Sequence, residues 1–463
     1  MKSKKTEIYG KKSILSSAIL AALGSANAAT IEVDGVCTLI DAIQAANTDL
    51  AVGSCTAGSG ADVIQVVTPN SGITINTIFE PSGSGPGNAG LPVITSEVTL
   101  EGNNLTIQAD NSTDDFRLFD VADTGDFTLR DTTVSGADDG YGVGSGLFSA
   151  GRTTIENSTF AGNNGAVLFY GGYGNELTDS VIRHNFNNSA YAAGVQTFYA
   201  GVEISRSSIF ENHNDSSGGV NASGVGAGPT IAGGLGLLQS EVSISDSTIS
   251  GNSSVYGGGI IVQDVAPAPL PGLSTMFEQS PLRGIIGSEL TISNSTITNN
   301  KSRIAAGILQ YGYQSKINLQ GTIVAGNETY AQGYAAEGYL FNPSYFYGGA
   351  NNIIGENGTV DFGNLGLSGN DVSFSNDATD NLYPLTSSNG QFMHPLKVGS
   401  VAIDGNDVSC FGSLFDQDGK GRGIDGDDNG SFICDVGAFE HSLPMVADDA
   451  PCSLSNAIIS ANS

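Results

Sequence analysis

The sequence predicts an all-β fold, a parallel β-solenoid, from a repeated six-residue phrase and from regular β-branched runs. The phrase has a small polar pair, an apolar residue, two variable residues and an asparagine. It ends at Asn163, Asn185, Asn212, Asn252, Asn300 and Asn327. The asparagines are 22, 27, 40, 48 and 27 residues apart. The short spacings match one coil, and the long ones match coils that carry insertions.

Runs such as Val202-Glu203-Ile204 and Leu290-Thr291-Ile292 alternate apolar and polar residues, which is typical of strands. The 64 glycines and the absence of tryptophan would also suit a disordered chain. The β-branched runs favour the β fold because they bury enough apolar surface to offset the entropy lost on ordering. Stacked asparagine amides, which donate and accept hydrogen bonds, are expected to join the coils rather than to bind a ligand.

Residues 1–28 have the pattern of a secretory signal peptide, with five lysines, a short apolar run and the small-residue site Ala26-Asn27-Ala28. The alternative is a buried N-terminal helix. No later stretch reaches the roughly 20 apolar residues that a membrane helix needs. We therefore expect a secreted protein, extracellular or on the outer cell surface, without a transmembrane segment.

Residues 29–95 form the predicted N-terminal cap. Leu39, Ile43 and Ala46 share one helical face, and such a helix would cover the open end of the solenoid. The first strand is predicted over residues 62–67. The coils are placed at 96–354, a distinct C-terminal region at 355–441, and a tail or truncated further module at 442–463.

Charge limits the partners. Beyond residue 28 the chain carries 12 basic and 46 acidic residues, a net charge near −34. Nucleic acids and anionic membranes need positive charge at the contact, so neither is expected as a partner. Polyanionic glycans are disfavoured too, unless calcium bridges the like charges.

Five cysteines in an exported protein suggest disulfides. The pairs Cys37–Cys55 and Cys410–Cys434 each close a local loop. Cys452 is left over: it is free, pairs between molecules, or displaces one of the other partners.

Tyrosines cluster late in the coils, and a tyrosine offers a ring for stacking on a sugar and a hydroxyl for its polar groups. We select Tyr311, Tyr313, Tyr334 and Tyr339 as candidate ligand-binding residues. The alternative is that these rings pack a cap around the last coils.

The segment from residue 416 to residue 430 alternates aspartate with glycine, which suits Ca²⁺ because that ion takes six to eight oxygens from flexible loops. The candidate ligands are Asp416, Asp418, Asp425, Asp427 and Asp428. The segment lacks the glutamate of an EF-hand loop, and ordinary aspartate turns are the alternative.

Catalytic signals are weak. Lyases on this scaffold abstract a proton with a basic side chain, and hydrolases use paired carboxylates. His184 and Glu211 occupy variable positions of the phrase, and His213 follows Asn212, so stacking in register would bring these three together. The alternative is solvated turn residues. No zinc spacing, Walker loop or dinucleotide fingerprint is present.

Three pieces resemble exported bacterial right-handed β-helix proteins of the CSLREA type, which are similar to polymorphic outer-membrane-protein repeats. The segments at 37–47 and 60–64 resemble the signature cap, although Ile40 stands where that family usually has arginine. The segments at 395–404, 416–417 and 434–440 resemble its closing region. The resemblance implies a right-handed parallel β-helix and export, and no defined reaction.

These observations predict an adhesin-like protein that binds extracellular polysaccharide or a cell-surface component without catalysis. The first alternative is a polysaccharide lyase or glycoside hydrolase. The second is a structural stalk or passenger.

Overall fold

The computed structural model describes residues 28–215, 232–264, 287–312, 314–331, 336–340, 346–348, 351–355, 372–374, 381–406 and 410–442. These residues form long parallel sheets and one α-helix. Apart from one antiparallel hairpin in the C-terminal region, the strands pair with equivalent strands of neighbouring coils, so the prediction of an all-β parallel solenoid is confirmed. Within these ranges no helix is long and apolar enough to cross a membrane.

Each full coil contributes three strands, which lie on faces 1, 2 and 3 in chain order. Face 1 comprises Phe119–Val121, Leu147–Ser149, Val167–Tyr170, Val195–Phe198, Leu235–Leu238, Ile260–Gln263, Ile308–Tyr311 and Gly338–Leu340. Face 2 comprises Thr30–Val33, Asp62–Val66, Arg152–Glu156, Asn175–Thr178, Gly201–Ser205, Glu241–Ser245, Glu289–Ser293, Lys316–Gln320 and Phe346–Gly348. Face 3 comprises Gly72–Ile75, Thr159–Ala161, Val181–Arg183, Ser208–Phe210, Thr248–Ser250, Thr296–Thr298, Ile323–Ala325, Ile353–Gly355 and Val372–Phe374.

The remaining strands join these faces or follow them. Glu97–Ala109 and Asp126–Ser135 each run from face 2 into face 3. Short strands follow face 3 at Phe186–Asn187, His213–Asn214, Lys301–Ser302 and Glu328–Thr329. Thr386–Ser388 and Gln391–Met393 form an antiparallel hairpin in the C-terminal region.

The helix spans Leu39–Thr48 and caps the first coils, as predicted. The Thr38 hydroxyl accepts a hydrogen bond from the Asp41 amide, which satisfies one of the free N–H groups of the first turn. The predicted start of the sheet is wrong, because Thr30–Val33 precedes Asp62–Val66 and pairs with it. This four-residue strand is defined by long-range pairing, which a local pattern does not reveal.

Buried asparagines join the coils at the corner after face 3. The amide N–H and the Nδ2 of Asn163 both lie 3.0 Å from Oδ1 of Asn185, one coil later. The same two bonds continue through the phrase to Asn327, so the predicted stacking is confirmed. Asn327 donates in turn to the buried carboxylate of Glu337. This asparagine ladder satisfies buried polar groups along one edge of the solenoid.

Serines form a second ladder at the corner between faces 2 and 3. The backbone N–H of Ser158 donates to the Ser180 hydroxyl, and Ser180, Ser207 and Ser247 each repeat this bond with the next coil. The small polar residues of the phrase are therefore structural. They hold one corner while the asparagines hold the other.

The C-terminal region packs against face 3 of the solenoid. Ile323, Ala325 and Ile353 share a hydrophobic cluster with residues of that region such as Met393 and Phe439. Gln417 hydrogen-bonds the hydroxyls of Ser208 and Thr248, and buried Arg422 pairs with Asp246 and Glu440. In the coil of Thr159 and Ala161, these two outward residues of face 3 are partly exposed. The equivalent residues Ser208 and Phe210, in a coil that the C-terminal region covers, are buried.

Both predicted cysteine pairs are present as disulfides. The Cα atoms are 4.7 Å apart in Cys37–Cys55 and 5.5 Å apart in Cys410–Cys434. Residues 1–27, Cys452 and residues 443–463 lie outside the described residues.

Asn252→Ala should lower the free energy of unfolding by about 3 kcal/mol or more, because it leaves several buried partners without a bond at about 1–3 kcal/mol each. These partners are the backbone and side-chain amides of Asn212 and the Ile209 carbonyl, whereas Asn300 Oδ1 keeps its bond from the backbone amide of residue 252. Urea unfolding measures the change. Asn318→Ala is the control, since Asn318 is only partly buried on face 2. Equal effects of the two substitutions would contradict a stabilising ladder.

Candidate functional site

Two tyrosines on the outer side of face 1 and one in the bend before it pack against the same apolar cluster, late in the solenoid. Tyr256, Tyr311 and Tyr339 are partly buried against an apolar floor. The floor consists of Ala192, Ala232, Ile261, Ala305 and Leu309. We call these three residues the tyrosine surface. A partly buried ring is held in place by packing and still presents one side to a ligand.

Local structure fixes Tyr311 and Tyr339. Tyr311 ends a strand in which Ile308 faces the core, and Leu309 of that strand pairs with Tyr339 in the next coil. Gly312 follows with φ of 130°, a conformation that favours glycine, and a Cβ there would lie 1.7 Å from Oδ1 of Asp264. The carboxylate of Asp264 also accepts a bond from the Gln314 amide at 2.7 Å.

Two of the four predicted tyrosines, Tyr311 and Tyr339, are brought to this surface, whereas Tyr313 and Tyr334 lie outside the described residues. The sequence reasoning missed Tyr256. A signal was present, because Tyr256 directly precedes the small residues 257–259 as Tyr191 precedes 192–194. Both positions lead into a strand of face 1.

Earlier along face 1 the outward aromatic residues are packing residues. Phe148, Tyr170 and Phe198 are buried, and the ring centroids of Tyr170 and Phe198 are 6.0 Å apart. Burial raises the pKa of Tyr191 and of Tyr199 to about 12. The outward aromatic residues of face 1 are thus buried in the early coils, whereas Tyr311 and Tyr339 in the late coils are partly exposed.

His184 and Glu211 are brought into contact, Nε2 against a carboxylate oxygen, by the stacking of two coils. Both have φ near +50°, at a position where other coils have Gly162, Gly251 or Asn299. A left-handed conformation costs a residue with a side chain about 1–2 kcal/mol. The two side chains are 50% and 53% exposed, so water reaches the pair.

His213 has a different partner. It lies in the short strand after Asn212, and its Nδ1 is 2.5 Å from the Ser253 hydroxyl. Phe186 is its neighbour in the preceding coil. The structure therefore supplies a dyad of His184 and Glu211, with His213 in a separate row of exposed side chains.

The aspartates of the C-terminal segment divide into two groups. Asp425 and Asp427 converge with Asp404, and one oxygen of each lies within 4.8 Å of the others. Burial, followed by the neighbouring Asp427, raises the pKa of Asp404. Three carboxylate oxygens at this distance suit Ca²⁺. The sequence pattern did not indicate Asp404 as a ligand, because this residue is 21 residues before Asp425 and lies outside the aspartate–glycine segment.

The other predicted calcium ligands have different surroundings. Asp416 is buried and accepts bonds from the amides of Asp418, Lys420 and Glu440. Asp418 pairs with Lys420 Nζ at 2.8 Å. Asp428 is not in the convergent group. Asp416 therefore organises a turn, as the alternative interpretation of the segment had it.

Glu337 ends the asparagine ladder. Its carboxylate accepts bonds from the amide N–H of Gly326 at 3.0 Å and from Asn327 Nδ2 at 2.6 Å. Burial raises the pKa of Glu337 to about 7, despite these bonds. Between pH 4.5 and 7 the folded protein therefore holds a proton that the unfolded chain releases.

No family model, no curated protein and no solved structure matches this chain.

Glu337 should make the protein less stable as pH rises from about 4.5 to 7. The folded state holds the extra proton in this window, and one pKa unit corresponds to about 1.4 kcal/mol, so the loss is about 3 kcal/mol. Glu337→Gln mimics the protonated acid and should remove this slope in urea unfolding. Glu203→Gln, on an exposed side chain of face 2, is the control. An unchanged slope in Glu337→Gln would contradict the assignment.

Proposed function

We propose that this protein is a secreted or cell-surface right-handed parallel β-helix of the CSLREA type. It binds extracellular glycan through the tyrosine surface, without catalysis. The observation that carries this proposal is the group of three partly buried tyrosines around one apolar floor. The signal-peptide pattern and the two disulfides support export.

The surface chemistry favours a neutral glycan. Sugar rings present apolar faces that stack on aromatic rings, and their hydroxyls bond to tyrosine O–H groups. The chain has a formal net charge of −30, which disfavours polyuronates at a contact without a bridging cation. Ile261 and Leu309 of the floor belong to stacked strands of face 1, and a site on such elements is held more rigidly than one on loops.

One observation favours a second function, a lyase or hydrolase. His184 and Glu211 are in contact, and Arg183 Nη1 lies 3.4 Å from His184 Nδ1. A histidine beside a carboxylate is able to transfer a proton. The exposure of both side chains weakens this candidate, because preorganised charges act most strongly where water is excluded.

Calcium is the cofactor that we propose, at Asp404, Asp425 and Asp427. Backbone amides already orient two of these carboxylates: Gly426 and Asp427 donate to Asp404, and Asn429 and Gly430 donate to Asp425. The ion would offset the repulsion among three acids and join the segment at 425–430 to the turn at Asp404.

Tyr311→Ala and Tyr339→Ala should each weaken the binding of a neutral polysaccharide at least about tenfold, because buried aromatic contacts dominate such interfaces. Binding to a panel of neutral and uronic-acid glycans is measured by affinity electrophoresis. Tyr141→Ala is the control, since Tyr141 is exposed and is not part of the tyrosine surface.

The same incubations are monitored at 235 nm for unsaturated products. Unchanged binding in both tyrosine variants would contradict the site. If the absorbance rises with the wild type and does not rise with His184→Ala, the function is lyase activity and not binding alone.

Calcium should raise the melting temperature, and EDTA should lower it, because an ion that binds only the folded state stabilises it. Asp425→Asn should remove the calcium effect. Asp428→Asn should keep it, since Asp428 lies outside the convergent group. A melting temperature that EDTA leaves unchanged in the wild type would refute the calcium proposal.

A further inference from the structure

An open surface cavity of about 510 Å³ lies beside the N-terminal cap, within the part of the chain that the structure describes. One wall is the last turn of the helix, with Gln44, Asn47 and Thr48. The opposite wall is the loop that carries Phe79 and Glu80, and Pro92 and Val93 also line the cavity. The volume is within the usual range for small-molecule sites.

Hydrogen bonds hold both walls in place. Asn47 Nδ2 donates to the Val93 carbonyl at 2.7 Å, and its Oδ1 accepts from the Thr95 amide at 2.9 Å. Across the cavity, Glu80 and Ala89 exchange two backbone bonds, so the loop closes on itself as a short antiparallel bridge. The cavity therefore does not need a ligand to form its walls.

The loop is also anchored to a buried ion cluster. Gly83 lies so close to the Asp120 carboxylate that a Cβ there would be 2.2 Å from Oδ2. Asp120 in turn pairs with Arg117, which is fully buried, pairs with Asp139 and lies over the Phe148 ring. A site supported by such packing is preorganised.

The charge of the cavity is negative. Glu80 is the one charged side chain among the residues that line it, and no lysine or arginine does so in the described chain. The helix C-terminus carries partial negative charge, and its last turn has no basic residue to offset it. A cation is therefore favoured and an anion disfavoured, while the Phe79 ring supplies an apolar contact.

We propose that this cavity binds a positively charged amino sugar, with the ammonium group at Glu80 and the sugar ring against Phe79. Gln44 lines the helix wall and brings an amide group beside the sugar hydroxyls. The choice of a sugar rests on the proposed glycan-binding function, whereas the charge preference rests on the cavity alone. The site is separate from the tyrosine surface, which lies late in the solenoid.

Isothermal titration calorimetry of the full chain at low ionic strength tests this, with a glucosamine tetramer and its fully N-acetylated counterpart as probes. The wild type should bind the glucosamine tetramer at least about tenfold more tightly, because acetylation removes the charge that pairs with Glu80. Glu80→Gln should abolish this preference. Glu203→Gln makes the same change of net charge on face 2 and should retain it.

Equal binding of the two tetramers by the wild type would overturn the proposal. If Glu80→Gln keeps the preference for the glucosamine tetramer, the preference arises from the general negative charge of the protein. This result would overturn the proposal too. Circular dichroism confirms that each variant is folded. Tyr311→Ala should leave the amine preference intact, so failure at the tyrosine surface is distinguishable from failure at this cavity.

Discussion

Buried asparagines hold each coil of this solenoid in register with the next. A single coil is too thin to bury its own apolar face, so it gains stability by stacking on its neighbours. Stacking is possible only if the buried polar groups at each corner find partners. The amide side chain meets this need because it donates and accepts at once, and each coil thereby fixes the register of the next. Glu337 ends the series with an acceptor, and this end is therefore sensitive to pH.

Register is also what brings distant residues together. His184 and Glu211 are 27 residues apart and meet because the coils of Asn185 and Asn212 stack directly. Tyr311 and Tyr339 of the tyrosine surface meet in the same way, on paired strands of successive coils. The side chains that alternate inward form one continuous core. The outward side chains do not have to pack in this core, and the candidate ligand-binding residues lie among them.

Much of this could be predicted from the sequence. The phrase predicts the ladder, helical spacing predicts the cap helix, and loop closure predicts the two disulfides. The packing of the C-terminal region on face 3 could not be predicted, because it depends on contacts such as Gln417 with Ser208, 209 residues apart. The convergence of Asp404 with Asp425 and Asp427 has the same origin. Local periodicity contains no information on which surfaces a later segment covers.

Hydrogen–deuterium exchange measures whether the side-chain ladders make the coils one cooperative unit. The backbone amides of Asn185, Asn212 and Asn252 each donate to the next asparagine of the ladder. They should exchange slowly and at similar rates, because opening any one requires the coils to separate. Rates that differ widely from coil to coil, with these amides exchanging as fast as those of exposed turns, would show that the ladders do not join the coils into one unit.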